Sequence, residues 1–351
     1  MEIQFLKAEY GDAIVIKTVS GNRPFTIVVD GGPQSSADVI VQQLVALGHI
    51  DLMVLTHFDE DHIIGLIKYV EHFQGLQLPV DRFWCNCAQE IDLASDTIIS
   101  TAGYENANTL ACFLREQAKQ NSSFIWAENV DSSTDPIDLG DLKINVLSPS
   151  DAILSELKAG YEDYVKTHDW VDTEEDDTDV ALVSNNPDKD KSIDDLVKTD
   201  RPRRVNLWNK ASIAFLLQAE NKKILMLGDA DAEVVAAGLE GVFSEESVTD
   251  IDLVKLSHHG SKHNISQHLL EHIKCHNYFI STNGGDANYC LPDRKTLALV
   301  LRSANRDKNT PVVFSFNYPI RDIEKRTGVL LTEQEKKIEN CVFAEKSTIA
   351  L

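Results

Sequence analysis

The 351-residue chain contains no apolar run approaching the roughly 18 residues of a membrane-spanning helix, so no membrane partner is expected. Basic side chains are scarce: 33 Lys and Arg face 56 Asp and Glu, giving a formal net charge of −23 and a pI near 4.8. That balance argues against binding nucleic acid through a broad basic surface. Aromatics make up only 7%, and Trp84, Trp126, Trp170 and Trp208 lack any spacing that would build a base-stacking platform. The six cysteines (Cys85, Cys87, Cys112, Cys275, Cys290, Cys341) are too few and scattered for a disulfide framework. Cys85-x-Cys87 has no second pair at zinc-finger spacing. Reduced thiols in a cytoplasmic protein are the expectation, and the opening residues show no basic-then-apolar pattern of a secretory leader.

What is present is a mixed α/β pattern. Short strand-like runs at Glu2–Phe5, Ala13–Lys17, Phe25–Val29, Asp51–Thr56, Arg82–Cys85, Leu142–Leu147, Ser212–Gln218, Lys223–Leu227, Ile251–Leu256 and Tyr278–Ser281 alternate with helical periodicity. The helical stretches are Ser36–Leu47, Ile63–Phe73, Asn106–Lys119, Ser266–Lys274 and Arg294–Arg302. Residues 161–204 read as an acidic insertion or lid. Tyr161 to Asp200 carries 14 acidic against 4 basic residues, with a short helix near Ile193–Val197.

The densest polar cluster is Thr56-His57-Phe58-Asp59-Glu60-Asp61-His62, directly after one strand and before a helix. Alternate side chains of a strand-end loop, His57 and Asp59, share a side, while Asp61 and His62 turn toward the helix start. Such a set can feed two adjacent metal ions. Asp229 ends the apolar run Ile224–Leu227, and His258-His259-Gly260-Ser261 follows Leu253–Leu256. One strand-end Asp is more often a helix cap than a ligand, but three such clusters in order point to a shared site. His268, His272 and His276 also recur at helical spacing. No carboxylate set surrounds them, so they read as solvated histidines.

In this order of motifs the chain resembles the metallo-β-lactamase superfamily, and among its members the soluble hydrolase domain of ComEC-type DNA-uptake proteins and their stand-alone relatives. The resemblance rests on Gly11-Asp12-Ala13, Asp30-Gly31-Gly32, His57-x-Asp59-x-Asp61-His62, Asn209-x-x-Ser212, Gly228-Asp229-Ala230 and His258-His259-Gly260-Ser261, and spans roughly Met1 to Phe316. It implies an αββα sandwich of two mixed β-sheets flanked by helices. The domain would cover residues 1–321, followed by a C-terminal extension at 322–351. By resemblance His57 and Asp59 would hold one metal ion, Asp61 and His62 the second, and Asp229 would bridge them. His258 ranks first as the late ligand, with His259 and His263 as alternatives. Asp12 and Asp30 would orient ligands or turns. Two departures stand out. Asp59 replaces a histidine and no middle histidine is evident near Asn209. Leu291 stands where the ComEC-like pattern has a histidine before Pro292.

An oxygen-rich dinuclear site favours Mn²⁺ or Mg²⁺ over an all-imidazole zinc site, with Zn²⁺ retained as a candidate. Asp61 would hold the attacking nucleophile in line, with His259, Ser261 and Asn288 as further catalytic candidates, and Tyr289 as another donor toward phosphoryl oxygens. The expected function is a metal-dependent phosphodiesterase or nuclease. Alternatives are hydrolysis of a small ester, thioester, lactone or cyclic nucleotide, or a weakly active metal-binding sensor whose acidic insertion docks a protein partner.

Overall fold

The computed structural model describes residues 1–86, 102–167, 188, 190–198, 205–243, 248–285 and 290–351. Their strands, in chain order, are β1 (Glu2–Phe5), β2 (Ile14–Ser20), β3 (Arg23–Val29), β4 (Ile50–Val54), β5 (Val80–Trp84), β6 (Ile125–Ala127), β7 (Ile137–Asp138), β8 (Leu142–Ser148), β9 (Ala214–Ala219), β10 (Lys222–Met226), β11 (Thr249–Asp250), β12 (Leu253–Lys255), β13 (Ile273–Lys274), β14 (Asn277–Ile280), β15 (Val312–Phe316), β16 (Cys341–Glu345) and β17 (Thr348–Ala350). The helices are α1 (Ala37–Val45), α2 (Glu60–His72), α3 (Ala102–Gln120), α4 (Asp151–Thr167), α5 (Ile193–Lys198), α6 (Leu207–Lys210), α7 (Ala232–Val242), α8 (Gln267–His272), α9 (Arg294–Leu301), α10 (Ile320–Thr327) and α11 (Glu333–Ile338).

Two mixed sheets form the body. One runs β17-β1-β2-β3-β4-β5-β6 and the other β16-β15-β14-β12-β10-β9-β8-β7, while β11 and β13 pair apart. β4, Ile-Asp-Leu-Met-Val, is buried along its whole length, as a central parallel strand covered on both faces must be. Its alternate residues serve different layers. Leu52 and Val54 face Phe215, Leu217, Ile224 and Met226 of the other sheet, whereas Ile50 and Met53 join the layer beneath α1 and α2. The second sheet repeats this logic, with Leu225 and Val254 packed under Val235, Leu239, Leu269 and Leu297. The result is the αββα sandwich expected from sequence. Phe5 and Phe279 stack across its middle.

Residues 322–351 are built into both sheets: β16 pairs with β15 in parallel and β17 pairs antiparallel with β1. Within the acidic stretch, α5 packs its buried Ile193 and Leu196 into the same layer as Leu297 of α9. The run at 168–187 lies outside the described residues. One expectation needs correcting. Cys85 is disulfide-bonded, whereas Cys112, Cys275, Cys290 and Cys341 are free thiols.

The topology places several strand ends together. The carboxyl ends of β3 and β4 in one sheet, and of β10, β12 and β14 in the other, belong to parallel neighbours and open on one side of the sandwich. The amino ends of β2 and β9, antiparallel to β3 and β10, arrive there too.

Candidate metal centre

Asp59 occupies the N-cap position of α2, yet its carboxylate makes no capping hydrogen bond. Its Oδ2 lies 3.2 Å from His57 Nε2 instead. The contrast with Asp231 is instructive. Asp231 caps α7, accepting the Glu233 N–H at 2.8 Å, while Asp229, two residues earlier, is left for the cluster.

Four imidazoles surround one carboxylate oxygen. Asp229 Oδ2 lies 3.5 Å from His62 Nε2, 3.8 Å from His258 Nε2, 3.9 Å from His57 Nε2 and 4.0 Å from His259 Nε2. Each ring is oriented by its other nitrogen. His62 Nδ1 donates to Asp30 Oδ2 at 2.8 Å, and His57 Nδ1 sits 3.1 Å from the Thr56 hydroxyl, which itself donates to Asp30. His259 Nδ1 donates to the Ser281 carbonyl at 2.8 Å, and His258 Nδ1 to Asn264 Oδ1 at 3.1 Å. Fixing Nδ1 as the protonated nitrogen leaves Nε2 as the free donor, which is how proteins prepare histidine for a metal. His57 Nε2, His62 Nε2 and Asp229 Oδ1 are buried without a hydrogen-bond partner, a costly arrangement unless another group completes it. These donors fit divalent cations.

From sequence His258 ranks first as the late ligand beside Asp61; in the structure it is His259 whose ring approaches the Asp61 carboxylate. His259 Nε2 lies 3.2 Å from Asp61 Oδ2, on the same side as His62, 3.4 Å from that oxygen. His258 stands instead beside Asn209, whose amide comes within 3.4 Å of its ring. Two consecutive left-handed residues make this possible: His258 (φ 46°) and His259 (φ 51°) turn the chain so that neighbouring side chains both reach Asp229. Non-glycine residues in that region cost about 1–3 kcal/mol each and cluster at functional sites.

The loop carrying Asp229 is held from three directions. Its N–H donates to Ser212 Oγ at 3.0 Å, its carbonyl accepts from Asn264 at 2.7 Å, and the Gly228 carbonyl accepts from Lys255 Nζ at 3.1 Å. Gly228 itself has φ +50°, and a Cβ there would stand 2.5 Å from Ser212 Oγ. Lys255 escapes a motif search. Only its place inside the apolar run Leu253–Leu256 marks it, because a lysine there must find a buried partner. That partner is Asp12, with which it forms a fully buried ion pair. Asp12 belongs to a potential ligand group with His62, Asp229 and His259, but the lysine already neutralises it.

Electrostatics follow from this packing. Burial pushes the Asp61 carboxyl up, yet His62 and His259 outweigh it and hold the group well below the ordinary range. Asp229 behaves likewise under His258 and His62. Burial lowers His62 and His259, but Asp61, Asp229 and Asp30 raise the first, and Asp12 and Asp61 the second.

Of the remaining candidates, Ser261 uses its Oγ to accept the His263 N–H within its own loop. Asn288 and Tyr289 lie outside the described residues.

Residues 8–87 match the family model described as the metallo-beta-lactamase superfamily. Members are generally metal-dependent hydrolases. Among curated proteins nothing matches. Solved structures similar to the chain include YhfI from Bacillus subtilis, a metallo-beta-lactamase fold protein, at 8% identity and TM-score 0.41, covering 98% of this chain and 95% of that one. Zinc-bound PqqB from Methylobacterium extorquens aligns at 10% identity and TM-score 0.39 over the full length of both chains. A mutant of the CmlA beta-hydroxylase aligns at 11% identity and TM-score 0.41, with all of this chain spanning 54% of that one. Likenesses at this level speak to neither substrate nor activity. No helix among the described residues is long and apolar enough to cross a membrane.

Proposed function

We propose that the chain is a dinuclear metallohydrolase acting on phosphodiesters. The observation that carries this reading is the convergence of four Nδ1-anchored imidazoles on Asp229, with Asp59 and Asp61 completing an oxygen-rich donor set. His57, Asp59 and His258 would serve the first cation, and Asp61, His62 and His259 the second, with Asp229 shared. His258 then takes the role of the histidine missing near Asn209. Bound there, two divalent ions would supply Lewis-acid polarisation of a phosphoryl oxygen and a nucleophile drawn from water at neutral pH. The carboxylates favour Mn²⁺ or Mg²⁺, and the imidazoles keep Zn²⁺ in contention.

The protein's own groups do the positioning. Asp30 and Thr56 lock the His57 and His62 rings, Ser281 locks His259, and Lys255 with Ser212 fixes the Asp229 loop. Asp59, Asp61 and His258 retain solvent exposure of 33%, 20% and 30%, while His57, His62 and Asp229 lie at 2% or below. Substrate therefore approaches past the first three. Nucleic acid is the preferred diester by the ComEC-like motifs; the net charge of −23 favours a small diester or cyclic nucleotide as a second reading.

The test is hydrolysis by metal-stripped protein refilled with Mn²⁺, Mg²⁺ or Zn²⁺, offered bis(4-nitrophenyl) phosphate, linear and single-stranded DNA, a thioester and a β-lactam. Diester cleavage that needs metal and is lost in Asp229→Asn is the expected result. Cleavage of the thioester or lactam alone would overturn the reading.

A further inference from the structure

Away from the interior cluster, the helix pair α7 and α8 brings together a second donor set. From sequence His268 and His272 read as solvated histidines with no carboxylate set around them. The fold corrects this: α7 lies against α8 and supplies Glu233 and Glu240. His268 Nε2 and His272 Nε2 approach to 3.2 Å, Glu240 Oε1 lies 3.2 Å from His272 Nε2, and the same oxygen is 3.6 Å from His268 Nε2. His276, the third of the series, is not part of this group.

We infer that His268, His272 and Glu240 form a surface site for a zinc-like divalent cation, with Glu233 orienting His268. The first support is metric. Bonds of about 2.0–2.1 Å at the tetrahedral angle put neighbouring donor atoms about 3.3 Å apart. The three observed separations bracket that value. The second is orientation: Glu233 Oε2 accepts from His268 Nδ1 at 2.6 Å, which directs the Nε2 lone pair at the other two donors. A carboxylate behind a ligating histidine is the usual support of a zinc-bound imidazole. Two imidazoles and one carboxylate select Zn²⁺, Ni²⁺ or Cu²⁺ over Mg²⁺ or Ca²⁺. The group is half-exposed, so a fourth position is open to water.

The place in the fold gives such a cation a structural task. α7 follows directly on Asp229, through its cap Asp231, and α8 follows the loop bearing His258 and His259, through its cap Ser266. A cation held between the two helices would clamp the segments leading out of two ligand-bearing loops.

The experiment is equilibrium dialysis against Zn²⁺ and, separately, Mn²⁺, with bound metal counted per chain and thermal unfolding recorded for the same samples. The proteins compared are the wild type, Glu240→Gln and the double variant His268→Ala/His272→Ala. His268 and Glu240 are exposed and His272 is partly exposed, so the variants keep their fold, and an unchanged unfolding midpoint without zinc checks it. The double variant is expected to bind one zinc fewer than the wild type, to lose part of the zinc-induced rise in midpoint, and to bind the same amount of manganese. Glu240→Gln should weaken that one zinc equivalent. Equal zinc counts in the wild type and the double variant would overturn the inference, whatever the interior cluster binds.

Discussion

At the scale of single residues, the site depends on side chains that never face solvent. Asp30 touches no substrate, but it receives the His62 ring, the Thr56 hydroxyl and the Thr56 N–H. Replacing a carboxylate behind a metal-bound histidine costs about 10–100-fold in metal affinity. Asp30→Asn should therefore weaken Mn²⁺ binding by that range, as read by competition with a fluorescent chelator, while the fold persists. Lys255 and Asp12 allow a sharper test. Removing one partner of a buried pair strands the other charge at about 3–5 kcal/mol. Lys255→Met should lose that much stability in urea unfolding, and Lys255→Met combined with Asp12→Asn should recover most of it. The cluster His57-x-Asp59-x-Asp61-His62 was legible because its density after an apolar strand has few structural uses. The choice between His258 and His259 was not, since it turns on two left-handed backbone positions that carry no glycine to announce them.

Secondary-structure elements show the same division. Strands such as β4 and β10 were readable because full burial demands unbroken apolar runs. α7, β15, β16, β17, α10 and α11 went unread. β16 and β17 lie at sheet edges and are mostly unburied, and α11 has no buried residue, so none of these leaves a clear periodic trace. What holds α11 is chemical: a Thr332–Glu335 capping box, and Glu335 Oε1 accepting from Arg294 of α9 at 2.8 Å. Partial burial pushes the Glu335 carboxyl up, but Arg294 and Thr332 leave it below its ordinary value. A carboxyl depressed on folding adds stability that is complete above its unfolded pKa and disappears as pH falls through the folded one. Glutamine keeps the capping box but not the charge. Glu335→Gln should thus cost about 1–2 kcal/mol at neutral pH and almost nothing once the pH is well below the carboxylate range, measured by denaturant titration at both.

For the whole molecule, charge is the decisive quantity. A chain of net charge −23 repels a polyanion at distances that a small diester hardly senses. Screening lengths shrink from about 20 Å to about 8 Å as salt rises from roughly 20 to 150 mM. If a single-stranded oligonucleotide is the substrate, its kcat/KM should rise across that interval, whereas that of bis(4-nitrophenyl) phosphate stays level. A steep fall for the oligonucleotide would instead reveal a local basic track that composition hides.

The donors around Asp229 come from both halves of the sandwich: His57, Asp59, Asp61 and His62 follow a strand of one sheet, and Asp229, His258 and His259 follow strands of the other. Cations seated there would act as rivets between two plates that otherwise meet through apolar side chains, the Asp12–Lys255 ion pair and a few hydrogen bonds such as Thr18 to Glu220. Losing them frees the plates to slide, so chelation and sheet separation become one equilibrium viewed from two ends, and a solvent that loosens the apolar layer must also loosen the grip on metal.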